Sequence, residues 1–163
     1  IDLWVLLDSS VSAEQPMAKG MPEWEKLLEK GRGPNDRIFY LNYAAEVMKR
    51  GAEVYKAYCQ TCHQPTGAGL PNVYPPLAGS DYIKSKPKAT IIDNVVNGLK
   101  GEVVVNGKKF NNVMVPLPAN YTNDDAAAVI TYVLNTWGNN GGLVSAAEVK
   151  KIRKPAAAAA KKK

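Results

Sequence analysis

Cys59-Gln60-Thr61-Cys62-His63 contains the only two cysteines and the only histidine in a chain of 163 residues. A Cys-x-x-Cys-His run is the attachment signature of c-type haem. The two thiols add to the haem vinyl groups, and the adjacent imidazole ligates the iron from one side. Because cysteine and histidine are used nowhere else, the pattern indicates one haem c bound covalently through Cys59 and Cys62, with His63 as an iron ligand.

Three other uses of these residues are disfavoured. A thioredoxin-like Cys-x-x-Cys requires a βαβ context, and no strand pattern precedes Cys59. A zinc site needs about four ligands, and only three soft ligands are present. A disulfide between two cysteines this close would close a very short loop and stabilise the fold little.

The net charge of +6 is concentrated in the C-terminal tail. Residues 146–163 carry seven basic side chains and one acidic side chain, whereas residues 1–145 are close to neutral. Basic and aromatic residues are not interleaved along one element, so nucleic acid is not an expected partner. No run of about 20 apolar residues is present, and we therefore predict no membrane-spanning helix in this sequence.

Residues 1–48 are predicted to form a partly helical extension. Serines and Pro16 indicate irregular backbone over residues 1–20, and the residues from Pro22 to Lys30 have the pattern of a short helix. The apolar strip at 1–7 would be an exposed patch if left free, so it packs either on the body or on a partner chain. Haem attachment implies maturation outside the cytoplasm, and a start at Ile1 fits a processed chain.

A helix is predicted to lead into the haem motif. Asn35 or Asp36 can cap it, and apolar residues recur at helical spacing towards Cys59. Gly51 lies inside this pattern, where glycine costs about 1 kcal/mol relative to alanine. It marks either a close helix crossing or a break between two helices.

The chain after the motif alternates between ordered loops and short elements. Pro and Gly are dense over residues 64–80, which indicates an ordered loop. Next come a predicted helical turn from Asp81 to Lys84, a helix capped by Thr90 and closed by Gly98, and a hairpin with an Asn106-Gly107 type I′ turn. Thr122 is predicted to cap the last long helix, whose buried face contains Ala126, Val129, Ile130, Val133 and Trp137. A short helix is predicted within 146–154.

The second axial ligand is predicted to be Met114. Met17, Met21 and Met48 all precede the haem motif, whereas Met114 follows His63 by 51 residues and stands in a Pro-rich loop. Core packing is the alternative, because methionine fills gaps well. A thioether in a loop between irregular stretches is better suited to ligation, and His/Met ligation closes the iron and raises its potential.

These residues resemble a class I cytochrome c over roughly Lys49 to Lys154. Gly51 and Tyr55 match the Gly-x-x-x-aromatic pattern of the family's first helix, and Pro75-Pro76-Leu77-Ala78-Gly79 resembles its Pro-x-Leu-x-Gly stretch. The resemblance implies an all-α fold, with helices wrapped around one haem and a small β-hairpin before the axial Met loop. It also implies that Gly51 lies at a crossing with the last helix.

The resemblance assigns roles to the loop after the haem motif. It implies that the Pro75 carbonyl accepts a hydrogen bond from the non-ligating nitrogen of His63, as a metal-bound imidazole requires. It also implies haem contacts from Tyr74 and Leu77.

A narrower resemblance is to haem domains fused to or bound by bacterial redox enzymes. Residues 67–80, the hairpin and Val113-Met114 look like those of copper nitrite reductases with a tethered cytochrome and of quinoprotein alcohol dehydrogenases. Those domains have Met-Pro at the axial position, whereas here Val115 follows Met114. The departure concerns the geometry of the loop rather than the ligand.

Together these features predict a non-enzymatic carrier of single electrons in a respiratory or periplasmic chain. Residues 49–154 would form the cytochrome c domain, 155–163 a flexible Ala/Lys tail, and 1–48 a contact with a larger membrane or periplasmic oxidoreductase complex. The expected location is the periplasm or the outer face of the cytoplasmic membrane. A free shuttle, and a haem sensor or peroxidase-like enzyme with a labile Met114, are the alternatives. Six lysines could steer an acidic partner or be ordinary surface: Lys84, Lys86, Lys88, Lys100, Lys108 and Lys109.

Overall fold

The computed structural model describes the backbone of residues 34–155 and the side chains of residues 43–155. The predicted helix from Pro22 to Lys30, the pattern over 1–20 and the tail beyond residue 155 lie outside the described residues. The described elements are α1 (Pro34–Val54), a π-helical turn (Tyr55–Cys59), α2 (Gln60–His63), α3 (Asp81–Ser85), α4 (Lys88–Asn97), β1 (Val103–Val105), β2 (Lys108–Phe110), α5 (Asn123–Leu134) and α6 (Ala146–Ile152).

The haem motif is reached by one continuous helical run. α1 passes directly into the π-helical turn and then into α2, so the predicted domain boundary after residue 48 falls inside α1. The backbone N–H of Gln60 donates to the carbonyl of Tyr55, which is the five-residue spacing of a π turn. The Tyr55 hydroxyl donates to the Gln64 carbonyl at 2.6 Å and ties the turn to the end of α2.

Gly51 marks a close crossing of α1 and α5, as the resemblance implied. A side chain at Gly51 would meet the Ala128 carbonyl oxygen, and its Cβ would lie 2.6 Å from the Cβ of Tyr132. Arg50 reaches across the same crossing and donates from Nε to Asp125 Oδ1 at 2.7 Å. Glycine is required here because the two backbones approach too closely for any side chain.

Three local predictions about helix ends are wrong. Asn35 and Asp36 do not cap α1, because both lie inside the helix, which already includes Pro34. Thr90 does not cap α4, because Pro87 stands at the N-cap and the helix begins at Lys88 without a side-chain cap. Trp137 does not lie on the last long helix. α5 ends at Leu134, where the Asn135 amide donates to the carbonyls of Thr131 and Gly142.

Trp137 instead stands in the following turn with a φ of 54°. From there its ring packs 5.0 Å from the ring of Tyr55 and 5.6 Å from that of Tyr132. The tryptophan therefore reaches the α1–α5 crossing from outside the helix.

The remaining local predictions are confirmed. Asn106 and Gly107 have φ values of 50° and 74° between paired strands, as a type I′ turn requires. Thr122 and Asp125 form a reciprocal capping box at the start of α5. Gly98 ends α4 at a φ of 81°. The described part is thus mainly helical with one small hairpin.

The apolar core lies between α5 and the elements packed around it. Its fully buried members include Ile92, Val129, Ile130 and Val149, which come from α4, α5 and α6. Among the residues that the structure describes, no helix is both long enough and apolar enough to cross a bilayer. The helices therefore pack around this core, and residues of the core also line a cavity that opens to the surface.

Candidate haem site

A cavity of about 820 Å³, including its open mouth, lies between the haem motif and the loop that carries Met114. Cys59, His63 and Met114 all line it. Much of its wall is apolar and is supplied by α4, β1 and α5, for example Ile91, Val105 and Ile130. The fold therefore brings the two predicted axial ligands and one predicted attachment thiol to the same apolar space.

His63 is buried and oriented by one hydrogen bond. Its Nδ1 lies 3.0 Å from the carbonyl oxygen of Pro75. Because a carbonyl only accepts, Nδ1 carries the proton, and Nε2 keeps the lone pair that a metal needs. Burial lowers the pKa of His63, and the hydrogen bond to Pro75 raises it by less, so the net shift is downward. The neutral, ligating form is thus favoured.

Met114 is fixed through its backbone. Its N–H donates to the Leu99 carbonyl, and its carbonyl accepts from the Leu99 N–H, each at 2.9 Å. This isolated antiparallel bridge joins the Met loop to the residue after Gly98. Val115, which stands where the resembling domains have proline, is exposed. The next residue, Pro116, accepts a hydrogen bond at 3.0 Å from the Tyr58 hydroxyl through its carbonyl.

The other predicted site residues are placed less uniformly. Leu77 and Pro75 line the cavity, whereas Cys62 and Tyr74 do not contribute to its wall. Cys59 and Cys62 are free thiols. Burial raises the pKa of the Cys59 thiol to about 11, and Cys62 adds to the rise. Tyr74 serves the local backbone, since its N–H and carbonyl both pair with Leu70.

Sequence reasoning missed a polar pair on the cavity wall. Asn94 is buried in α4, and its amide donates to the Tyr82 hydroxyl at 3.1 Å. Both residues line the cavity. Asn94 lies between the apolar pairs Ile91-Ile92 and Val95-Val96 of α4, which was the available signal: an amide at a buried position needs a partner.

The residues present fit a haem c. The cavity is apolar, a neutral imidazole and a thioether open onto it, and a thiol lies at its edge. Within the described part of the chain, no three His, Cys, Asp or Glu side chains gather as a metal-binding group. The donor set therefore suits a flat macrocyclic iron complex better than a free metal ion.

Comparison with protein families matches residues 48–137 to Cytochrome c. The chain belongs to the cytochrome c family. The family binds haem c covalently, and the spacing of Cys59 and Cys62 is the one that this attachment uses. The predicted fold class and cofactor are confirmed.

Among curated proteins, this cytochrome is similar to cytochrome c-552 of Thermus thermophilus, with 35% identity over 63% of this chain and 83% of that protein. It is also similar to the cytochrome c subunit of a quinone alcohol dehydrogenase from Gluconobacter oxydans, with 28% identity over 90% of this chain and 30% of that subunit. A fructose dehydrogenase cytochrome subunit of Gluconobacter japonicus is 29% identical over 63% of this chain and 22% of that subunit.

The cytochrome therefore spans less than a third of these dehydrogenase subunits but most of the Thermus protein. The relatives are named as cytochromes or as cytochrome subunits of dehydrogenases. The expectation of an electron-transfer protein, rather than an enzyme in its own right, is confirmed.

Proposed function

We propose that this cytochrome carries single electrons on one haem c attached through Cys59 and Cys62, with His63 and Met114 as the axial ligands. The observation that supports this proposal is that His63 and Met114 line one apolar cavity and that both are held by hydrogen bonds. The ring of His63 bonds to the Pro75 carbonyl, and the backbone of Met114 bonds to Leu99. A haem closed by histidine and methionine supplies a one-electron ferric–ferrous change with no vacant coordination position.

The surrounding residues support transfer without rearrangement. The Pro75 carbonyl keeps the ring of His63 in one orientation, and the bridge to Leu99 keeps the backbone of Met114 in place. Apolar walls limit the water that would have to reorient when the charge changes. Fixed ligands in an apolar cavity favour fast electron exchange over catalysis.

The ligand assignment is tested by replacing Met114. The Met114→Ala holoprotein should lose the ferric charge-transfer band of thioether ligation and should bind carbon monoxide rapidly when reduced. Met48→Ala is the matched control: Met48 is buried in α1, away from the cavity wall, and its loss should leave both properties unchanged.

If the wild-type ferrous protein itself binds carbon monoxide rapidly, the closed-carrier assignment fails. A haem sensor or peroxidase-like activity then becomes the better interpretation. If Met48→Ala, rather than Met114→Ala, opens the haem, the ligand is misassigned.

The wider role that we propose is that of a subunit in a respiratory or periplasmic oxidoreductase complex, at the periplasm or the outer face of the cytoplasmic membrane. The similarity to a dehydrogenase cytochrome subunit covers 90% of the chain and so extends beyond residues 48–137. Residues 1–48 are the proposed contact with that complex. The alternative, a free shuttle, is supported by the Thermus relative, most of whose length this one domain matches.

Docking to an acidic partner would use the proposed lysines unequally. The Lys88 ammonium donates to the Leu143 carbonyl at 2.7 Å, and Lys109 pairs with Glu102 at 2.9 Å. Lys84, Lys100 and Lys108 are exposed. These three are the better candidates for steering, which falls as salt screens their charge.

Purification of the full-length tagged protein from its native membrane in mild detergent tests the complex. The wild type should elute with a larger redox enzyme, and a Trp4→Ser/Trp24→Ser variant should elute alone with an unchanged haem spectrum. If the wild type elutes as a single small protein, the free shuttle is the better interpretation.

A further inference from the structure

The segment from Met114 to Tyr121 has few means of holding its own shape. Pro116 and Pro118 have no N–H to donate, so neither can form a backbone hydrogen bond as a donor. We call residues 114–121 the distal segment. Its conformation depends on donors from elsewhere in the fold, and the position of the Met114 thioether depends on that conformation.

Arg153 supplies several of those donors. Its Nη1 donates to the Tyr121 carbonyl at 2.8 Å, and its Nη2 donates to the carbonyls of Pro118 at 3.1 Å and Leu117 at 3.3 Å. Nη1 also lies 3.3 Å from Asn123 Oδ1 at the start of α5. One half-buried guanidinium thus donates hydrogen bonds to three carbonyls of the distal segment.

No ion pair competes for this guanidinium among the described residues. The acceptors of its hydrogen bonds in the described part of the chain are all neutral oxygens. The planar guanidinium is therefore used to match the geometry of the carbonyls rather than to neutralise a charge. A lysine could not reproduce this, because an ammonium cannot span separated acceptors in one plane.

Arg153 is itself held on a rigid support. Its N–H donates to the Val149 carbonyl at 2.8 Å, at the end of α6. The next residue, Lys154, donates its N–H to Asn97 Oδ1 at 2.9 Å, and Asn97 Nδ2 donates to the Ile152 carbonyl at 3.0 Å. Val149 is fully buried. Arg153 and α6 lie beyond residue 137, where the match to the family ends, whereas Asn97 lies within the match.

The distal segment is also fixed on its cavity side. Leu117 is buried, lines the cavity and donates its N–H to the Val95 carbonyl at 2.8 Å. Arg153 donates a hydrogen bond to the carbonyl of the same residue, Leu117. The guanidinium therefore acts on a residue that forms part of the haem cavity, three positions from Met114.

We propose that Arg153 is a positioning residue for the axial Met114, keeping the distal segment closed so that external ligands do not displace the thioether. This proposal rests on the proposed function, because it requires Met114 to ligate the iron. Loss of several hydrogen bonds from one guanidinium should raise the population of the open distal segment by at least about tenfold, or ~1.4 kcal/mol.

The test compares Arg153→Gln and Arg153→Lys with Arg50→Gln in the holoprotein. Arg50 also joins distant elements, α1 and α5, but does not contact the distal segment. Two quantities are measured on each variant: the thioether charge-transfer band of the ferric form against helical circular dichroism during heating, and carbon monoxide binding to the ferrous form.

Arg153→Gln should lose the band well before the helices melt and should bind carbon monoxide at least about tenfold faster than wild type. Arg153→Lys should be intermediate between wild type and Arg153→Gln in both measurements. Arg50→Gln should lose band and helix together. If both Arg153 variants also lose them together and bind no carbon monoxide, Arg153 is only structural and the proposal is overturned.

Failure of the proposed function has a different signature. In that case the wild-type protein already lacks the thioether band, and the Arg153 proposal falls with it. If Arg153→Gln does not fold, Arg153→Lys carries the test, because it retains the positive charge and the aliphatic stem.

Discussion

Replacement of Gly51 by alanine tests the helix crossing on which the fold is built. A new Cβ would lie 2.6 Å from the Cβ of Tyr132 and would contact the Ala128 carbonyl oxygen. Carbon atoms pack best at about 3.5–4.0 Å, so α1 and α5 must separate by roughly 1 Å. Because the carbonyl belongs to the backbone, no rotamer change relieves the contact.

The two opposing effects of Gly51→Ala can be compared in magnitude. Overpacking of this kind costs up to about 3 kcal/mol, whereas alanine in a helix interior gains about 1 kcal/mol over glycine. We therefore expect a net loss of about 2 kcal/mol in the free energy of unfolding. Urea unfolding of the holoprotein, followed by circular dichroism, measures it.

A second variant separates the backbone contact from a side-chain contact. Gly51→Ala combined with Ala128→Gly should not recover stability, since the Ala128 atom in contact is a carbonyl oxygen. If Gly51→Ala is as stable as wild type or more stable, helix propensity dominates and the close crossing is wrong. Full recovery in the double variant would contradict the backbone contact.

Three further changes have expected outcomes. Burial acts to raise the pKa of Asp125, but hydrogen bonds from Thr122 and Arg50 outweigh it and lower the pKa. The contribution of Asp125 to stability is therefore present above about pH 4 and is lost as the pH falls through the lowered value. In pH-dependent urea unfolding, Asp125→Asn should be less stable at neutral pH and should show a shallower loss of stability on acidification. Asn139→Ala removes the amide that donates to the Leu77 carbonyl at 2.8 Å and should lower the free energy of unfolding by about 1–3 kcal/mol in the same assay; no loss would show that the bond is dispensable. Gly107→Ala forces alanine into a φ of 74° and should cost about 1 kcal/mol while leaving the haem spectrum unchanged, and a changed spectrum would show that the hairpin also shapes the site.

The local features predictable from sequence were those with short-range physical causes. The Asn106-Gly107 turn follows from two positions that need positive φ, and the cap at Thr122 follows from side-chain and backbone groups three residues apart. The haem motif is likewise local. Met114 was reachable by elimination, because the other three methionines precede the motif.

What could not be predicted depends on contacts far along the chain. Arg153 acts on carbonyls 32–36 residues away, and nothing in its neighbourhood distinguishes it from the other basic residues of the tail. Thr90 looked like a cap, but Pro87 had already started the helix. Trp137 continued the helical spacing of α5, but the Asn135 amide ends the helix first.

The π-helical turn at Tyr55–Cys59 sets the rotation between the helix crossing and the haem motif. Each residue of an α-helix advances the side-chain direction by about 100°, and a π turn contains one residue more for each hydrogen-bonded ring than an α-helix. Here it sits between Gly51, which must face α5, and His63, which must face the cavity. Exposed Lys56 and Ala57 can change identity freely. A regular α-helix over the same residues would turn the imidazole by most of one residue step relative to the helix crossing, so the wider turn keeps the two in phase.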